Sequence, residues 1–205
     1  PQPPSTPGSL GIGSARAPMR VDLDRHPDEL SHAEGKALID QIADMGTPLL
    51  ILTGGDPMLR DDLPDLIAHA RSRGLLVALS PSATPRVTRA RLEACRDAGV
   101  GRVAISLDGS SPEIHDAFRG FDGVFDRTIA ILDTLRDVGL TLQLGTTVCR
   151  TNLHDLERIA AIAARYDAVM WSLFFLVPTG RGRAGDVIST EQHEDVFNWL
   201  YDFAR

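Results

Sequence analysis

Residues 49–57 have the sequence Leu-Leu-Ile-Leu-Thr-Gly-Gly-Asp-Pro. An aliphatic run bounded by turn-forming residues predicts a strand that is buried on both faces, as in a parallel sheet. Gly54 and Gly55 let a ligand approach the backbone closely, and α/β folds keep their chemistry in loops at the carboxyl ends of parallel strands. The turn after this strand is therefore a candidate site, although the same residues also form ordinary tight turns.

The alternation of strand and helix continues along the chain. Apolar runs predict further strands at residues 75–80, 101–107, 140–148 and 168–176, and periodic patterns predict helices at 31–46, 62–72, 88–97, 124–138, 153–165 and 190–203. Strict alternation gives an α/β fold with a parallel sheet, either an open doubly wound sheet or a closed or partial barrel. Nearly every strand ends in small or polar residues, as in loops around the mouth of a barrel.

The first helix carries clear boundary signals. Ser31 and Glu34 have the spacing of a capping box, and Gly46 closes the helix. We expect its buried stripe to consist of the apolar residues Ala37, Leu38, Ile42 and Met45.

Residues 1–18 are dominated by Pro, Ser, Gly and Ala, a composition that predicts a flexible lead. This lead is a tail, a cloning remnant or a misassigned start, and Met19 opens a more ordinary sequence. We expect residues 19–205 to form one domain.

Composition narrows the classes of partner. The formal net charge is −7 with a sequence pI of about 5.3, which argues against a nucleic-acid binder because phosphate affinity needs an excess of Lys and Arg. The two cysteines, Cys95 and Cys149, lie far apart and outside any CxxC spacing, so we expect neither a disulfide framework nor a zinc motif. With no apolar run of membrane-span length and no secretory signal, a cytoplasmic location is expected.

A second motif begins at the end of the third predicted strand. Residues 106–109 read Ser-Leu-Asp-Gly, and alternation places Ser106 and Asp108 on one face. Arg119 follows within the sequence His-Asp-Ala-Phe-Arg-Gly of residues 115–120. Its guanidinium could grip a carboxylate of a ligand in bidentate fashion, or it could form a surface ion pair with Asp116 or Asp122.

The remaining candidates have plainer interpretations. Residues 178–183, Pro-Thr-Gly-Arg-Gly-Arg, are typical of a mobile basic loop. Cys95 is expected to be a core thiol, and Cys149, at a strand exit, has a packing role or a functional one. A metal-free aldolase or isomerase that forms a Schiff base would need a lysine at a strand end. The only lysine in the sequence, Lys36, lies inside the first predicted helix.

In combination, Leu-Thr-Gly-Gly-Asp-Pro, Ser-Leu-Asp-Gly with His-Asp-x-x-Arg-Gly, and Val-Pro-Thr-Gly-Arg-Gly resemble the radical S-adenosylmethionine superfamily over about residues 30–184. The likeness is to the branch of haem-biosynthesis and peptide-modifying enzymes that carry a C-terminal SPASM-type auxiliary-cluster domain. It implies a partial (β/α) TIM-like barrel that binds S-adenosylmethionine across its mouth, and a small-molecule or peptide substrate.

The resemblance also assigns site residues. It places Gly54, Gly55 and Asp56 at the amino group of the cofactor, and it places Ser106 and Arg119 on its ribose or carboxylate side. Ser80 lies at a neighbouring strand end. Val177, beside the exit of the last strand, matches a position near the adenine.

The chain departs from the family at its iron-sulfur site. Relatives hold a [4Fe-4S] cluster with Cys-x-x-x-Cys-x-x-Cys, and this run does not occur in the 205 residues. We therefore expect a core truncated at both ends, lacking the first strand, the cluster loop and the auxiliary domain. Such a chain would be unable to cleave the cofactor alone, or would be a non-catalytic remnant that still binds it. Exposed strand edges would favour association.

Overall fold

The computed structural model describes residues 28–179 and 182–204. The predicted lead, residues 1–18, and the place expected for the family's first strand lie outside this part, so the domain boundary at residue 19 stays a prediction. The described helices are α1 (His32–Asp44), α2 (Leu63–Ser72), α3 (Arg89–Asp97), α4 (Pro112–Arg119), α5 (Val124–Val138), α6 (Leu156–Arg165) and α7 (Thr190–Phe203). The strands are β1 (Leu49–Leu52), β2 (Leu76–Leu79), β3 (Arg102–Ser106), β4 (Leu142–Val148) and β5 (Met170–Phe175).

The five strands form one parallel sheet in the order β1-β2-β3-β4-β5. Right-handed crossovers between sequential parallel neighbours place every connecting helix on the same face. The sheet is accordingly a half-barrel rather than a doubly wound sheet, which confirms the partial TIM-like barrel. All five predicted strands are confirmed, and α4 is an additional helix that the sequence patterns did not reveal.

Only one face of the sheet is buried. Side chains such as Leu79, Val103, Ile105 and Leu144 point to the helices and are at most 1% exposed. The opposite face, called the open face below, leaves Leu49, Ile51, Leu76, Met170 and Phe174 between 45% and 58% exposed. The prediction that residues 49–52 are buried on both faces is therefore wrong, because no element in the described part covers the open face.

Helix α1 begins as its sequence indicates. The Ser31 hydroxyl accepts a hydrogen bond from the N–H of Glu34, and the Glu34 carboxylate accepts one from the N–H of Ser31, which completes the capping box. The buried stripe differs from the prediction: Ile39 is 4% exposed, whereas Leu38 and Met45 are 44% and 80% exposed. Helix α1 packs on α2, so the side of α1 that faces α2 decides which apolar side chains are covered.

Candidate functional site

Hydroxyl side chains gather where the strands end. Thr53, Ser80, Ser106 and Thr147 follow the alternation of the open face, and each lies at or just beyond the carboxyl end of its strand. The Ser80 N–H donates to the carbonyl of Leu52 at 2.9 Å, which holds Ser80 beside the start of the glycine turn. This rim of the sheet, called the carboxyl edge below, is where a parallel half-barrel places its ligands.

The glycine turn after β1 is shaped by its backbone. Gly54 and Gly55 have φ of +81° and +26°, a region that favours glycine, and both are exposed with open space around the Cβ position. The turn therefore presents bare main chain to the solvent beside Ser80. Peptide N–H and C=O groups in such a turn can bind a polar ligand directly.

Asp56 stabilises this turn by accepting two hydrogen bonds. One carboxylate oxygen accepts a hydrogen bond from the N–H of Met58 at 3.0 Å and caps a short 3₁₀ turn, Pro57–Leu59. The other oxygen accepts one from the hydroxyl of Thr84 at 2.9 Å. Asp56 thus ties the glycine turn to the loop after β2, and any contact with a ligand would use the remaining lone pairs.

The motif after β3 is built around Asp108, which is fully buried. Its Oδ1 accepts a hydrogen bond from the N–H of Thr147 at 2.7 Å. Its Oδ2 lies 2.5 Å from Nη2 of Arg119 in an ion pair. Burial raises the pKa of Asp108, and the charge of Arg119 opposes that rise.

Arg119, at the end of α4, is the cation of this site. Its partner is Asp108, and its side chain remains 33% exposed. The alternative prediction, a surface pair with Asp116 or Asp122, is wrong, because the guanidinium pairs with the buried Asp108. The carboxylate of Asp116 instead accepts hydrogen bonds from the N–H groups of Gly123 and Phe125 at 2.6 and 2.7 Å, where it satisfies the start of α5.

Two buried side chains from the loop after β4 fasten the Ser-Leu-Asp-Gly segment. Asn152 donates to the carbonyls of Asp108 and Thr147, both at 2.9 Å. Asp155 accepts hydrogen bonds from the N–H and the hydroxyl of Ser110, both at 2.6 Å. Sequence reasoning missed both residues, because Asn and Asp before a helix are ordinary capping signals.

His115 completes the support for Asp108 from the other side. The Asp108 N–H donates to Nδ1 of His115 at 3.0 Å, so the proton of the neutral ring resides on Nε2. Burial, together with the charge of Arg119, lowers the pKa of His115 to about 4. Close packing leaves no room for a side chain at Gly109, whose Cβ would lie 2.5 Å from the N–H nitrogen of His115.

The other sequence candidates are placed as follows. Val177 is 64% exposed just past β5, at the carboxyl edge. Residues 180 and 181 of the expected basic loop lie outside the described residues. Lys36 lies within α1, which supports the argument against a Schiff-base enzyme. No helix in residues 28–179 or 182–204 is both long and apolar enough to cross a membrane.

The sequence of residues 15–163 matches the radical SAM superfamily. This chain belongs to that superfamily. It is 44% identical over 199 residues to an AdoMet-dependent heme synthase of Nitratidesulfovibrio vulgaris, covering 96% of the chain and 54% of that protein. It is 35% identical over 183 residues to the mycofactocin maturase MftC of Mycolicibacterium smegmatis, covering 86% of the chain and 45% of that protein.

The fold agrees with solved radical SAM structures. The crystal structure of Streptococcus suis SuiB bound to S-adenosylmethionine superposes with a TM-score of 0.73 at 14% identity, over 88% of this chain and 42% of that one. The sequence relatives, and not the superposition, confirm the predicted likeness to haem-biosynthesis and peptide-modifying enzymes. The chain spans about half the length of the curated relatives it matches.

The described residues do not fit an iron-sulfur cluster. Cys95 is buried in α3, where burial raises the pKa of its thiol to about 11, and cluster ligands must be thiolates. Cys149 is 2% exposed, and its Sγ lies 3.1 Å from the hydroxyl of Thr151. Within the described ranges, no three His, Cys, Asp or Glu side chains are grouped to hold a metal ion.

Proposed function

We propose that this chain is a radical SAM core that binds S-adenosylmethionine at the carboxyl edge of its half-barrel. The observation that carries the proposal is Arg119, a partly exposed guanidinium held by a buried carboxylate at the same edge as an open glycine turn. S-adenosylmethionine carries an ammonium and a carboxylate on one carbon. A turn rich in exposed peptide groups and a fixed cation complement that pair of charges.

Individual roles follow from the family resemblance and the geometry together. The peptide groups of Gly54 and Gly55, with Asp56 behind them, would bind the amino group. Arg119 would bind the carboxylate. The remaining residues, Ser80, Ser106 and Val177, would line the path of the ribose and the adenine.

A calorimetric titration with S-adenosylmethionine tests this assignment. The wild-type chain should bind it, and Arg119→Gln should weaken binding by between about tenfold and about a hundredfold, because a charge-assisted contact contributes roughly 1.5–3 kcal/mol. Arg89→Gln is the matched control, since Arg89 forms a half-exposed ion pair with Asp137 on the helical side. Equal losses in the two variants, or no binding by the wild type, would reject the assignment.

The chain by itself is proposed not to cleave S-adenosylmethionine. In the superfamily, a [4Fe-4S] cluster supplies the electron for this cleavage, and the two cysteines here are unsuited to hold one. This observation also favours a second candidate function, a non-catalytic module that binds the cofactor. Anaerobic reconstitution with iron and sulfide, followed by visible absorbance and a 5'-deoxyadenosine assay, tests it. Cluster absorbance together with 5'-deoxyadenosine would reject both statements.

Partners are proposed from the relatives and from the sheet. The relatives include a heme synthase and a PqqA peptide cyclase, so a small molecule or a peptide is the expected substrate class. In the described part of the chain, β1 and β5 are edge strands with one unpaired side each, and unpaired edges favour association. Sedimentation over a range of concentrations would detect it, and a concentration-independent monomer would contradict it.

A further inference from the structure

A buried carboxylate supports the guanidinium of Arg119. Long surface arginines sample many rotamers, but the Nη2 atom of Arg119 is held at 2.5 Å by a carboxylate that is only 1% exposed. We propose that Asp108 is a positioning residue that orients Arg119 toward the carboxylate of bound S-adenosylmethionine. This inference rests on the proposed function and adds to it a source of specificity.

Asp108 can fix the direction of Arg119 because it is itself immobile. Its Oδ1 accepts from the N–H of Thr147, its own N–H donates to His115, and its carbonyl accepts from Asn152. These three bonds anchor the side chain, the amide and the carbonyl of one residue to three different segments. The position of Oδ2, and with it the negative charge that attracts Nη2 of Arg119, is therefore set by the core.

The ion pair leaves Arg119 able to bind a second carboxylate. A guanidinium has five N–H donors in a planar fork, and within the described residues its ion pair with Asp108 uses the Nη2 end. The Arg119 side chain is 33% exposed, so a ligand can reach part of it. Arg119 can thus bridge a protein carboxylate and a ligand carboxylate, as a fixed cation between two anions.

Asp155, from the loop after β4, provides a matched comparison because it contacts the same segment after β3. It is as buried as Asp108 and fastens Ser110, two residues after Asp108. Its cationic contact is a longer one, 3.8 Å to Arg158, and it makes no ion pair with Arg119. Replacing Asp155 disturbs the loop without removing the charge behind Arg119.

Two ligands separate positioning from simple structural support. S-adenosylmethionine and its decarboxylated form share the amino group, the sulfonium and the adenosine, and they differ only in the carboxylate. Their affinities are measured by calorimetry for the full chain. The dissociation constant of the decarboxylated form divided by that of S-adenosylmethionine gives a ratio that reports the carboxylate contact alone. Asp108→Asn is the principal variant, because the amide still accepts from Thr147 but presents an NH₂ group to the guanidinium.

We expect the wild type to favour S-adenosylmethionine, and Asp108→Asn to reduce the ratio by about tenfold. Asp155→Asn should leave the ratio unchanged, even where it weakens both ligands equally. In an Arg119→Gln background, Asp108→Asn should reduce the ratio no further, since the residue through which it acts is gone.

Each contrary result has a distinct meaning. Equal weakening of both ligands by Asp108→Asn would overturn the positioning role and leave the binding site standing. A wild type that binds both ligands equally would overturn the positioning role together with the assignment of Arg119 to the carboxylate, and would leave only the binding of S-adenosylmethionine standing. Absence of all binding by the wild type would overturn this inference together with the proposed function. Should Asp108→Asn fail to fold, Asp108→Ser removes the charge with a smaller side chain, and an unchanged ratio in that variant would likewise overturn the inference.

Discussion

Replacing Arg119 with methionine tests the energetics of the buried ion pair directly. The variant keeps most of the aliphatic stem of Arg119 and leaves the carboxylate of Asp108 buried without its cation. Removing one partner of a buried pair costs about 3–5 kcal/mol. Because one third of the Arg119 side chain meets solvent, screening reduces the loss, and we expect about 2 kcal/mol near neutral pH.

The loss should shrink in acid. Burial already raises the pKa of Asp108, and Arg119 opposes that rise, so the pKa climbs further in Arg119→Met. A carboxyl whose folded pKa lies above its unfolded value destabilises the fold when ionised, and this penalty disappears as protonation proceeds. Arg119 also lowers the pKa of His115, and its removal eases protonation there too. Both effects make the variant approach the wild type as the pH falls.

Urea denaturation followed by tryptophan fluorescence measures the difference, because Trp171 and Trp199 are in edge contact between β5 and α7. The two proteins are compared at about pH 7.5 and about pH 5.5, on either side of neutrality. Arg89→Met is the control, since its exposed pair with Asp137 should contribute at most about 1 kcal/mol at both values. A stable Arg119→Met, or a deficit that does not change with pH, would refute the buried-pair reasoning.

Three further variants test the surroundings of the site. Gly109→Ala should cost about 1–3 kcal/mol in urea unfolding because its Cβ meets backbone at 2.5 Å, whereas Gly185→Ala, with open space, should stay within about 0.5 kcal/mol. His115→Phe should lower the free energy of unfolding by about 1–3 kcal/mol near neutral pH, because the N–H of Asp108 loses its acceptor. The wild type should lose stability from about pH 6.5 down to about 4, because folded His115 resists protonation, and His115→Phe should lack that part of the slope; an unchanged slope would contradict the assignment. Asp56→Asn should retain stability within about 0.5 kcal/mol, since an amide can still meet Thr84, yet bind S-adenosylmethionine more weakly by calorimetry; unchanged affinity would remove Asp56 from the site.

Much of this architecture is local and can be predicted from the sequence. Hydrophobic periodicity located all five strands, and the capping box at Ser31 fixed the start of α1 to the residue. The glycine turn after β1 and the Ser-Leu-Asp-Gly segment also lie at strand ends, as predicted. Helix α4 was missed although Ser111, Pro112 and Gly120 mark its two ends as ordinary cap signals.

What the sequence by itself determined is therefore the order of elements and the motifs that mark the family. Only the tertiary structure decided that Arg119 pairs with Asp108, that α1 buries Ile39 in place of Leu38, and that Asn152 fastens a loop more than forty residues earlier. The physical reason is that parallel strands bring their carboxyl ends together only after each crossover has closed. Partners across that edge are neighbours in space with no fixed spacing in the chain, so no periodicity or short motif encodes them.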